Sequence, residues 1–175
     1  MINWTPLNDD QTLIGLEGKY IIIKGVLYVY IEYTNHLFDV ISDLIAISNS
    51  TGCHLGLYPY GDWLAAWVNI QRLNNPEIKE VQLIGCSMGG LMMIAANKLD
   101  DVTRVVSIGG LSTTRKVHPK AELWLNRGDI VPWLIPWFKR PKKIKYLNNK
   151  WQWPIKAHCS YPLNKLIEDI VNEKM

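Results

Sequence analysis

Val81-Gln82-Leu83-Ile84-Gly85-Cys86-Ser87-Met88-Gly89 passes from a short apolar run straight into a glycine-bracketed serine. Residues 88–99 then continue apolar nearly all round. The short run reads as a buried strand and the longer one as a buried helix. Gly-X-Ser-X-Gly alone recurs by chance. Between a strand and a helix it gains meaning, because the sharp turn pushes the serine out at the top of a sheet. Gly85 and Gly89 lack Cβ atoms, so neighbouring backbone can approach and unusual dihedrals are tolerated. The helix N-terminus offers unpaired N–H groups, and that of Met88 can face a negative charge developing beside Ser87. A nucleotide-binding loop is the competing reading. Against it, the spacing is not Gly-X-Gly-X-X-Gly and no Lys-Ser/Thr follows. The next strand also ends in Gly109-Gly110, not in an acid that could hold a ribose.

Outward from this turn, strand and helix patterns alternate, which predicts a mainly parallel central sheet with helices on both faces. Residues 12–16 and 20–24 are expected to pair as a hairpin about Glu17-Gly18. Residues 35–47 read as a helix with Leu37, Phe38, Ile41, Leu44 and Ile45 on one face, and residues 54–59 as a short strand. Asp62 is expected to cap a helix that ends at Leu73, before Asn74-Asn75-Pro76. Residues 102–108, 121–125 and 143–147 supply further strands, and 161–171 a closing amphipathic helix. The expected class is α/β, as one domain over residues 1–175.

Composition narrows the functions. With 48% hydrophobic and 20% charged residues the chain is an ordinary globular sequence, which excludes intrinsic disorder. A net charge of +3 gives no reason to expect a nucleic-acid partner. The first 18 residues hold no apolar leader core, and no run nears the roughly 18 apolar residues of a membrane span. Cys53, Cys86 and Cys159 are odd in number and lack metal-ligand spacing. They read as free thiols in a reducing compartment, so a cytoplasmic location and no metal are expected. Eight Trp and eight Tyr stand against two Phe. Trp133, Trp137, Phe138, Trp151 and Trp153 either rim an apolar pocket or fill a small core. The basic excess from Lys139 through Arg140, Lys142 and Lys143 to Lys145 reads first as a solvated strand edge. Beside Trp137 and Phe138 it is also the expected docking edge on an anionic membrane surface, if the substrate is membrane-borne.

A nucleophilic serine needs a base, and the base needs an orienting acid. Behind a strand–serine–helix turn these follow in the order acid, then histidine, each after a later strand. Asn126-Arg127-Gly128-Asp129 is a turn directly after the strand 121–125, which puts Asp129 at a strand's C-terminal end. Asp100 and Asp101 are weaker candidates, at the far end of the helix after Ser87. Among the histidines, His36 and His54 precede the serine, and His118 precedes its strand. His158 follows the last strand and precedes the last helix, where the base belongs.

With these residues in hand the chain resembles the α/β-hydrolase superfamily, and within it class 3 (fungal-type) lipases and related small esterases. The resemblance rests on Leu83-Ile84-Gly85-Cys86-Ser87-Met88-Gly89-Gly90 and on Asp129-Ile130-Val131-Pro132, and spans residues 20–170. It implies a compact α/β-hydrolase with Ser87 as nucleophile, Asp129 as acid, His158 as base, and no cofactor. It also implies backbone oxyanion donors at Met88 and near Val26, since residues 21–26 are similar to the strand and turn that carry the first donor. Cys86 stands where His is usual, Lys24-Gly25-Val26 lacks the customary Ser or Thr, and the chain is short for a long lid. The implied reaction is hydrolysis of a small-molecule or lipid ester. A thioesterase or acyltransferase would use the same three residues. A binding module that keeps the fold without catalysis is the remaining alternative.

Overall fold

The computed structural model describes residues 2–7, 16–33, 58–110, 113–134 and 138–173. Among these, one sheet contains seven strands in chain order. They are β1 (Thr5–Pro6), β2 (Leu16–Ile23), β3 (Val26–Tyr33), β4 (Glu80–Cys86), β5 (Val102–Ile108), β6 (Ala121–Leu125) and β7 (Lys143–Tyr146). β1 to β3 pair antiparallel, and β3 to β7 pair parallel. The parallel part brings the C-terminal ends of β4, β5 and β6 to one edge of the sheet.

Among the described residues the α-helices are α1 (Tyr58–Asn74), α2 (Met92–Ala96), α3 (Pro154–Cys159) and α4 (Leu163–Asn172). They cover both faces because the central strands are apolar on both. Leu27, Val29, Ile31 and Leu83 turn one way, against Leu64 and Val68 of α1 and Met92 of α2. Tyr30, Ile84, Val106 and Trp124 turn the other way, against Leu166, Ile167 and Ile170 of α4. Each of these α4 side chains contributes on the order of 1.5–3 kcal/mol by leaving water. Among the described residues no helix is long and apolar enough to cross a membrane.

Several expectations are corrected. Glu17-Gly18 is not a turn but the interior of β2, where the Gly18 carbonyl accepts the Leu7 N–H at 2.9 Å. The hairpin turns instead at Lys24-Gly25, with φ of +49° and +76°. A two-residue hairpin loop matches strand twist when both residues have positive φ, and Gly25 adopts that freely. Asp62 is not an N-cap, because α1 starts four residues earlier at Tyr58; its carboxylate pairs with the Lys98 ammonium. The helix after Ser87 opens as a 3₁₀ turn over Ser87–Leu91 before α2. The expected helix 35–47, residues 12–15 of the expected strand 12–16 and residues 54–57 of the expected strand 54–59 lie outside the described residues, while Tyr58 and Pro59, expected at the end of that strand, open α1 instead.

At the opposite edge of the sheet, Glu122 of β6 is buried within a ring of donors. Trp124 Nε1 reaches Oε2 at 3.0 Å and Lys143 Nζ reaches Oε1 at 2.7 Å, while Arg104 Nε lies 3.4 Å from Oε1. Burial alone would raise this carboxyl, but Lys143, Trp124 and Arg104 outweigh it and hold Glu122 below its ordinary value of 4.5. The folded state therefore binds this proton less readily than the unfolded chain. The resulting stability is complete above the ordinary glutamate range and is lost as pH falls through the folded value. Urea midpoints measured from pH 7 downward should drop through that range. In Glu122→Gln the part of the drop due to this residue should vanish.

Candidate active site

Ser87 follows the last residue of β4 and has φ of +55°, a region that costs a non-glycine residue roughly 1–3 kcal/mol. The chain tolerates this because the sheet fixes one side of the turn and buried α2 the other. Met88 is the second residue of the 3₁₀ turn, so its N–H is among those with no partner inside that turn.

Asp129 is reached from β6 through the turn Asn126–Asp129, in which the Asp129 N–H donates to the Asn126 carbonyl at 3.1 Å. Gly128 has φ of +101°, and a Cβ there would lie 1.9 Å from the Gln152 carbonyl oxygen. Only glycine lets residues 151–153 pack on this turn. The Asp129 side chain is fully buried. Its Oδ1 accepts the Val131 N–H at 2.9 Å. Its Oδ2 faces two groups, His158 Nδ1 at 3.0 Å and the Tyr161 hydroxyl at 2.5 Å.

His158 sits in the last turn of α3, with its ring buried. Nδ1 meets a carboxylate oxygen, so that nitrogen carries the proton. Nε2 is then the acceptor, and it lies 3.0 Å from Ser87 Oγ. The three side chains thus form one hydrogen-bonded run, Ser87 to His158 to Asp129, at the C-terminal edge of the sheet.

Reasoning from sequence missed Tyr161 and Asn126. Tyr161 donates to Asp129 Oδ2 and accepts the Asn126 N–H at 3.1 Å. Burial, reinforced by the neighbouring Asp129 charge, pushes the Tyr161 hydroxyl far up, so it remains a donor. Asn126 Nδ2 donates to the Ala157 carbonyl at 2.9 Å, tying the end of β6 to α3 one residue before His158. A tyrosine three positions after His158 was the only signal in the chain, and it reads equally well as the start of a helix. Tyr161→Phe would leave Asp129 with one donor fewer and a buried N–H without its acceptor. It should lower kcat roughly threefold to tenfold and stability by about 1–3 kcal/mol. Steady-state kinetics and urea unfolding of the same preparation would measure both.

Val26 is not at this site. It pairs with Glu80 at the start of β4, whereas Ser87 follows Cys86 at its end. Six residues of parallel strand, about 20 Å, separate the two positions. The expected donor was assigned one strand too early: β3 runs beside β4, and Ile31 pairs with Gly85 next to the serine. The residues after Tyr33 that leave β3 at this edge lie outside the described residues.

Asp101 and His118 lie at the far edge of the sheet. The Asp101 carbonyl accepts the Val81 N–H at the start of β4, and its carboxylate pairs with Arg72. The His118 carbonyl accepts the Ala121 N–H at the start of β6, again the far edge. His36 and His54 lie outside the described residues. Of the aromatics, Phe138 is core, while Trp133, Trp151 and Trp153 are exposed. Trp137 lies outside the described residues.

Two lipases are among the solved structures that resemble this one. The chain matches the Lip2 lipase from Yarrowia lipolytica with a TM-score of 0.60 and 17% identity, over 88% of this chain and 68% of that one. It matches a lipase from Rhizopus microsporus var. chinensis with a TM-score of 0.64 and 15% identity, over 84% of this chain and 62% of that one. No protein-family model and no curated protein matches the sequence. At such identities the likeness is one of fold alone, a mainly parallel sheet with helices on both faces.

Proposed function

We propose that this lipase-like α/β-hydrolase fold carries a serine esterase, cleaving carboxylic esters through an acyl-enzyme on Ser87. The observation that carries the reading is the run from Ser87 Oγ to His158 Nε2 and from His158 Nδ1 to Asp129 Oδ2, each contact at 3.0 Å. The positive φ of Ser87 is the strain of a half-buried nucleophile held on a strand-to-helix turn. The Yarrowia and Rhizopus proteins that share the fold are lipases, which favours an ester over other acyl substrates.

In the reaction, His158 Nε2 takes the Ser87 proton as Oγ bonds to the ester carbonyl carbon. The Met88 N–H, at the start of the 3₁₀ turn, holds the oxyanion. Removing one such donor typically costs roughly 10²–10³ in rate. The tetrahedral intermediate collapses, the alkoxide leaves, and His158 returns the proton to it. Water, deprotonated by the same nitrogen, then attacks the acyl-enzyme and releases the acid with Ser87 restored. Asp129 holds the imidazole tautomer and stabilises the imidazolium. Tyr161 and Asn126 hold Asp129. Cys159, an exposed free thiol, fits a reducing, cytoplasmic setting.

A fluorophosphonate probe tests the reading directly. Intact mass should rise by one adduct, and peptide mapping should place it on Ser87. No adduct at Ser87, on a protein that is folded by circular dichroism, would leave the fold as a non-catalytic module. Turnover of matched ester and thioester substrates separates an esterase from a thioesterase.

A further inference from the structure

Between Asp129 and Glu168 the chain contains eight Lys and Arg and no Asp or Glu, although the whole chain carries only +3. The topology divides these cations between the two edges of the sheet. β7 runs parallel to β6, with Lys143 opposite Glu122 and Tyr146 opposite Leu125. Lys142 and Lys143 therefore start β7 at the edge remote from Ser87, and Lys143 is engaged by Glu122. Lys142 and Lys143 of the expected docking edge are thus not at the edge of the site. They form the lysine-rich flank of an edge strand, a common guard against strand pairing.

The site's own edge carries a different set. Arg127, Lys150 and Lys156 are exposed there, on the segments that lead to Asp129 and His158. Among them stand Trp151, Trp153 and Ile155, with 62%, 75% and 63% of their surfaces exposed. These are not side chains of a loose loop. The Gln152 N–H donates to the Arg127 carbonyl at 2.9 Å, and the Gln152 side chain accepts the Ser160 hydroxyl at 3.1 Å. The residue between the two tryptophans is pinned at both backbone and side chain. The indoles meet edge to face at 5.6 Å and project together. Large apolar side chains held in water on a rigid support, between cations and with no acid in the segment, mark an interaction surface.

The geometry points to an anionic lipid bilayer as the partner of this edge. Trp151, Trp153 and Ile155 enter the interface, while Arg127, Lys150 and Lys156 meet the headgroups. Tryptophan suits the headgroup level because its ring is apolar and its N–H polar. The acid-free segment gives the charge complementarity, since anionic leaflets attract Lys and Arg close to the surface. Docking here would set Ser87 and His158 against the membrane. It rests on the esterase reading and gives it a substrate class, an ester of a membrane lipid.

The test is vesicle co-sedimentation of the full chain, with phosphatidylcholine alone and with phosphatidylglycerol added, at low and high salt. Hydrolysis of a soluble short-chain ester is followed in parallel. Binding should require phosphatidylglycerol and weaken with salt, since screening shortens to roughly 10 Å at 0.1 M. Lys150→Glu with Lys156→Glu should lower the partition at least about tenfold. Lys120→Glu with Lys142→Glu makes the same charge change at the far edge and should keep it within about twofold. Trp151→Ala with Trp153→Ala should lower binding further in high salt, where the electrostatic part is screened. Equal binding to both vesicle types, equal losses from the two charge reversals, or binding to heparin without binding to vesicles would overturn the docking surface. If soluble ester is hydrolysed while docking fails, only this inference falls. If docking holds while Ser87 takes no fluorophosphonate, only the esterase reading falls.

Discussion

Ser87→Ala should abolish hydrolysis of a short activated ester, with a fall in kcat of about 10⁶ and the fold unchanged. The size follows from how such residues act. Nucleophile and base work as one unit, so removing either costs nearly as much as removing both, and only binding and the oxyanion donors remain. The effect on stability separates this assignment from a structural role. Ser87 is held at φ of +55°, and alanine in its place keeps that strain. Glycine relieves it. Ser87→Gly should therefore be as inactive as Ser87→Ala yet more stable than the parent by up to about 1–2 kcal/mol. A serine kept in an unfavourable conformation at a cost to folding is one whose position is needed for something else. Urea unfolding of the three proteins, with turnover measured on each, gives the comparison. Appreciable turnover in Ser87→Ala would remove the nucleophile, and a destabilised Ser87→Gly would remove the strain argument.

What could be read from the chain follows from which forces act locally. β4, β5 and β6 were legible because parallel strands buried on both faces are short continuous apolar runs. The turns at Ser87 and Asp129 were legible because each stands directly at the end of such a run. His158 followed from chain order alone, and its host helix α3, only six residues long, left no periodicity to detect. The first hairpin was misplaced because Gly18 and Gly25 look alike in sequence. Only the pairing partner, Leu7 for one and a two-residue loop for the other, tells them apart. That error moved the expected oxyanion donor to Val26, since a strand assigned too early carries its C-terminal end with it. Tyr161 and Asn126 were invisible for a different reason. Their roles are contacts across 32 and 31 residues, made to a carboxylate and a carbonyl that only the fold brings near.

Asp129→Asn should lower kcat by about 10⁴ while changing KM little and leaving the chain folded. Both oxygens of the buried carboxylate are surrounded by donors: Val131 N–H at Oδ1, and His158 Nδ1 with the Tyr161 hydroxyl at Oδ2. An amide can satisfy only one side. If its oxygen stays with Val131, its NH₂ faces His158, so Nδ1 must become the acceptor and the proton moves to Nε2. That nitrogen then points a hydrogen at Ser87 Oγ and cannot take the serine's proton. If the amide flips, its NH₂ meets the Val131 N–H, a buried donor-to-donor contact costing about 1–3 kcal/mol. The first arrangement avoids that clash, and Tyr161 can turn its hydroxyl to accept, so the inactive tautomer is the one expected to fill the site. Nitrogen NMR of the imidazole would show the proton shift from Nδ1 to Nε2, and kinetics would give the rate. A loss under tenfold, with the tautomer unchanged, would show that Asp129 does not orient His158. Asp101 could not replace it, because it is anchored at the start of β4, a full strand length from Ser87.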